Sequence, residues 1–174
     1  MNGDTQTRSA MRKYFFLIAA IVLLLDRLAK RAVAGNIALH DSVTIIPGFF
    51  HLTHVQNTGA AFGLFAESSA QWKVGALVSF SVIALIVVSA LLWKNSHALS
   101  TNTIGLSLIL GGATGNLWDR MMSGHVVDFL DFNIGSYHWP AFNVADSAIV
   151  IGAILLVSEI VFAKSGNEAV NSSS

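Results

Sequence analysis

Two carboxylates stand where apolar segments meet polar ones: Asp128 in HVVDFLDF and Asp146 in FNVADSAIVIGAILLV. An ionisable group bordering a bilayer is expensive to keep there, so its default reading is functional. If the two converge they cannot both ionise cheaply; they would share one proton and could activate a water. Asp131 competes with Asp128 for this role. In an extended segment the two side chains point to opposite faces, so one at most faces the site. Asp128 sits between Val126-Val127 and Phe129-Leu130, an apolar setting that raises proton affinity, and is the better candidate.

Other polar residues fall into patterns around this pair. Gly112, Asn116 and Arg120 are spaced i, i+4, i+8 and form one helical stripe, with Asp119 three positions after Asn116. Arg120 has a fork of donors suited to carbonyls or carboxylates, whereas Asp119 reads equally well as a helix-end group reaching water. Asn143 and Asp146 have capping-box spacing, which would place Asp146 in a first helical turn where amides and the helix dipole favour the charged form. Asp26 and Lys30 are an i, i+4 ion pair, read as structural support. His51, His54, His125 and His138 lack a metal-ligand spacing, so no metal or other cofactor is expected. Cysteine is absent, which excludes a thiol nucleophile, and no serine lies in a nucleophile motif.

The elements that must position these residues are membrane helices. The chain has 174 residues, 53% hydrophobic and 11% charged, with a mean hydropathy of +0.62, too little polar surface for a soluble globule. Four apolar stretches approach the ~20 residues a spanning helix needs: about 13–34, 72–93, 103–122 and 141–163, within a single membrane domain. The first resembles a signal peptide, with Ala32-Val33-Ala34 as a small-x-small site, but Asp26, Arg27, Lys30 and Arg31 intervene and a retained span is expected. Gly111 and Gly115 form a G-x-x-x-G pair that lets helices approach closely. Pro140 is read as setting up the start of the fourth helix. Val43–Ile46, a Pro47-Gly48 turn and Phe49–Val55 predict a strand pair. With Phe62 and Phe65, they predict a small interfacial β region over about 37–65, and Gly59 and Gly63 suggest a lid near Phe62–Glu67. Residues 1–10 and 165–174 are polar tails. The spans place five Lys and Arg residues on each side, so charge does not orient the chain. Zero net charge without a basic patch argues against nucleic acid as a partner.

Five motifs in order resemble the bacterial lipoprotein signal peptidase (signal peptidase II) family of intramembrane aspartic proteases: Asp26 with Lys30, NTGAAFG from Asn57, GGATGNLWDR from Gly111, VVDF from Val126 and FNVADS from Phe142. The resemblance implies that Asp128 and Asp146 are catalytic, that Asn57, Asn116, Arg120 and Asn143 line the site, and that Asp26, Lys30, Gly59 and Asp119 support it. It further implies cleavage of diacylglyceryl-modified prolipoproteins before the lipidated cysteine. Both termini would be cytoplasmic, and the site and sheet would lie near the outer face of the inner membrane. Membrane lipid is then a partner, and a compact four-helix bundle suggests a monomer. Asp146 is expected to be the member more often ionised. A proton- or ion-coupled transporter and a non-catalytic membrane scaffold are the competing readings.

Overall fold

The computed structural model describes residues 2–59, 72–95 and 98–172. Four helices, α1 (Asn2–Asn36), α2 (Trp72–Lys94), α3 (Thr101–Ser123) and α4 (Val144–Ser172), carry a four-stranded sheet made of β1 (Ser42–Ile46), β2 (Phe50–Asn57), β3 (Val126–Ile134) and β4 (Tyr137–Phe142). The strands are antiparallel in the order β1-β2-β3-β4, so the loop after α1 and the loop after α3 meet in one platform.

α3 is the central helix, and its glycines explain why. A Cβ on Gly111 would lie 2.6 Å from the Ala19 carbonyl oxygen of α1, and one on Gly112 would lie 2.4 Å from the Ala145 oxygen of α4. Nearer the other end of α3, a Cβ on Gly105 would lie 2.8 Å from the Gly152 oxygen of α4. Glycine on two faces therefore lets two neighbouring backbones touch α3 directly. Ser100 caps α3 reciprocally with Thr103, and Gly124 ends it in the left-handed region (φ 74), donating its N–H to Arg120 O at 3.1 Å. The chain then reverses into β3.

The outward faces of the helices are apolar and exposed, as at Leu24, Phe80, Ile86 and Ile154. Among the described residues only α2, over Val74–Lys94, is by itself long and apolar enough to cross a bilayer. α1 and α3 turn some of their charges inward instead: Asp26, Lys30 and Asp119 are buried, while Lys13 and Arg31 are exposed.

The Pro47-Gly48 turn forms as expected, with Gly48 at φ 70 and Phe49 N–H bonded to Ile46 O at 3.0 Å. One face of the sheet is aromatic: Phe132 stacks on Phe50 at 4.6 Å and on Phe142 at 5.8 Å. Several boundaries differ from the sequence reading. α1 and α4 continue as helix into both polar tails, neither of which contains a proline. α4 begins at Val144 rather than near 141, since Pro140 sits in β4, an edge strand where a missing N–H is tolerated. The strands cover 42–57 of the expected β region, and Phe62, Phe65 and the suggested lid lie outside the described residues.

Candidate active site

Asp128 reaches the site from near the start of β3, and Asp146 from the first turn of α4. Asp128 is 3% exposed. Asn143, fully buried just ahead of α4, joins the two acids. Its Oδ1 accepts from Asp146 N–H at 2.9 Å and its backbone N–H donates to Asp146 Oδ2 at 3.3 Å, which completes the capping box. Its Nδ2 donates to Asp128 Oδ1 at 2.7 Å. The cap and the site are thus one structure.

Two further amides complete the shell. Asn57, at the end of β2, donates from Nδ2 to Asp128 Oδ2 at 2.8 Å, while its Oδ1 accepts from Gly59 N–H at 2.8 Å. Asn116 donates from Nδ2 to Asp146 Oδ1 at 2.8 Å, while its Oδ1 accepts from Lys30 Nζ at 2.9 Å. Every carboxylate oxygen of the pair therefore receives one N–H, and each asparagine side chain is oriented by a donor on its oxygen. Arg120 holds the Gly59 carbonyl through Nη2 at 3.0 Å. Its buried Nε has no partner among the described residues.

Asp128 holds its proton more tightly than an ordinary carboxyl, with a pKa raised from 3.8 to about 6. Burial is the main cause and repulsion from Asp146 the second, against which the Asn57 and Asn143 hydrogen bonds favour the charged form. Asn143, bonded to both, keeps the two acids close enough to compete for charge.

Behind them lies an ionic cluster. Lys30 Nζ meets Asp26 Oδ2 and Asp119 Oδ2, each at 2.7 Å, and Arg27 also pairs with Asp119. Asp119 does not reach water as a helix-end group would; it is 6% exposed, because α1 supplies two cations to it. Asp26 Oδ1 accepts from Ala145 N–H at 3.0 Å, tying α1 to the start of α4. These contacts between distant helices, and β4, were not evident from local spacing. Asp131 lies away from the pair, bonded to His138 Nε2 at 2.6 Å. His54 Nδ1–H donates to Ile37 O at 2.9 Å, and His51 Nδ1 accepts from Asn133 at 3.1 Å, so these histidines serve the sheet. Beside Asp146 opens an apolar cavity of about 360 Å³, lined by Phe132, Trp139, Phe142, Val150 and Ile151 among others.

This fold is that of a membrane enzyme. A solved structure titled "Bacterial membrane enzyme structure by the in meso method at 2.3 A resolution" superposes with a TM-score of 0.80 at 33% identity, covering 88% of this chain and 91% of that one. A second, at 1.9 Å resolution under the same title, gives 0.75 at 34% identity over 85% and 92%. The chain belongs to the signal peptidase II family, whose profile, described as "Signal peptidase (SPase) II", matches residues 18–162. It is 45% identical over 143 residues to the lipoprotein signal peptidase of Solibacter usitatus, covering 82% of this chain and 87% of that protein. It is 44% identical over 161 residues to that of Desulforapulum autotrophicum, covering 91% and 96%. The protein is accordingly a protease of an aspartic family, and the transporter and scaffold readings fall away.

Proposed function

We propose that this protein removes the signal peptide of diacylglyceryl-modified prolipoproteins by hydrolysis on an Asp128–Asp146 dyad. The observation that carries this reading is the pair itself: two acids from different elements, bridged by Asn143 and each hydrogen-bonded at both oxygens. Asp128, on a strand and away from any helix N-terminus, holds the shared proton. Asp146, at the positive end of α4, carries the charge. The ionised acid takes a proton from water as it attacks the scissile carbonyl. The protonated acid donates to the carbonyl oxygen and regains that proton as the tetrahedral intermediate collapses, while the acid that took the water proton delivers it to the leaving amine, restoring the singly protonated pair. Asn57, Asn116 and Asn143 orient the acids, and Arg120 Nε is a donor available to a substrate carbonyl. The chemistry needs no metal.

The apolar cavity beside Asp146 suits an apolar group of the substrate. Four spans, with both termini cytoplasmic, would put the sheet and dyad near the outer membrane surface, so acyl chains stay in lipid while the peptide bond meets water. The protein is proposed to act as a monomer. Incubating it in detergent and chelator with a prolipoprotein, with and without the diacylglyceryl group, tests the substrate assignment. Mass spectrometry is expected to find only the lipidated form cut, immediately before the modified cysteine. Equal cutting of both forms, or a cut elsewhere, contradicts it.

A further inference from the structure

The three asparagine side chains that touch the acid pair have their oxygens held by donors of different kinds. Asn57 and Asn143 are held by backbone N–H groups, of Gly59 and Asp146. Asn116 is held by a side chain from another helix, Lys30 Nζ at 2.9 Å. A side-chain amide presents either a donor or an acceptor depending on how it is turned, and its fixed end decides which. We propose that Lys30 is a positioning residue for the reaction. By holding Asn116 Oδ1 it commits the Asn116 NH₂ to Asp146 Oδ1 and so keeps Asp146 the charged, water-activating member. The inference rests on the dyad assignment above. Without the ammonium, Asn116 is free to turn its oxygen toward Asp146, which sets acceptor against acceptor and removes a bond that favours the carboxylate.

The alternative role is charge balance, and the geometry allows the two to be separated. Lys30 and Arg27 face Asp26 and Asp119, two cations against two anions. Removing Lys30 alone leaves a buried carboxylate uncompensated, and such a variant is expected to be unstable. The double variant Lys30→Met with Asp26→Asn restores neutrality, and the amide oxygen introduced at position 26 would still accept from Ala145 N–H, as the carboxylate does.

The test measures kcat and KM of the full chain in detergent on a lipidated prolipoprotein, with thermal unfolding as the check on folding. The double variant is expected to fold and keep KM within about 3-fold while kcat falls about 100-fold, the scale of losing a preorganised donor. Adding Asn116→Ala to it should cost no more than about 3-fold further, since both changes remove one interaction. A double variant with kcat within about 3-fold of wild type overturns the proposal, as does a triple variant whose loss is the product of the separate losses. Asn116→Ala alone, which leaves the ion cluster intact, must show the same kcat loss at unchanged KM; full activity there overturns it even if the double variant does not fold. A wild type that fails to cleave would instead contradict the dyad reading beneath it.

Discussion

The asparagine side chain is the recurring device at the residue scale. A close carboxylate pair needs donors that favour charge without a cation in direct contact, and an amide supplies one N–H while its oxygen anchors it. Asn143 does this for both acids at once. Asn143→Ala is expected to lower kcat about 100-fold and to cost roughly 1–2 kcal/mol through the lost cap. Steady-state cleavage and denaturant unfolding check the two effects separately. The acids and the Asn143–Asp146 capping box were legible from residue type and spacing. The link from Lys30 to Asn116 was not, because it spans 86 positions and leaves no local pattern. Lys30 read as half of an i, i+4 pair with Asp26, which it is, but that pairing hid its third partner.

At the scale of elements, the site depends on how closely three helices approach. A Cβ on Gly112 would press on the Ala145 oxygen, one residue before Asp146, so the start of α4 must move to admit it. Gly112→Ala should destabilise by about 1–3 kcal/mol and reduce activity by displacing Asp146. Gly35→Ala, where a Cβ meets nothing within 4 Å, should be neutral or slightly stabilising. Paired thermal unfolding and cleavage assays test the contrast. The sequence marked the Gly111/Gly115 stripe and the first hairpin because small-residue spacing and a Pro-Gly turn are local signals. β4 escaped notice because Pro140 looked like a helix start; only the neighbouring β3 makes an edge strand of that segment.

For the whole molecule, burial of one acid couples stability to pH. The folded-state pKa of Asp128 is about 6, above its ordinary 3.8. The folded protein therefore binds this proton more tightly than the unfolded chain. Its contribution to stability is fully present below 3.8 and is lost as pH rises through about 6. The loss amounts to about 3 kcal/mol at most. Thermal unfolding of wild type should fall across that window relative to Asp128→Asn; parallel curves would contradict it. Membrane topology gives a second test, because the chain has no cysteine to interfere. A cysteine at Ser136, in the turn between β3 and β4, should react with an impermeant maleimide in intact spheroplasts. One at Asn95, after α2, should react only after permeabilisation, and the reverse pattern would invert the proposed orientation. Overall composition announced a membrane protein; the count of four spans is a proposal, since among the described residues only α2 is by length and apolarity alone able to cross a bilayer.

The most direct measurement is cleavage of a lipidated prolipoprotein by folded Asp128→Asn and Asp146→Asn in the presence of chelator. A water-activating dyad predicts that wild type cleaves while each variant loses at least about a thousandfold in kcat, since neither acid alone can both take and give the proton. Near-normal cleavage by either variant, with its fold intact, would show that the reaction does not run on this pair.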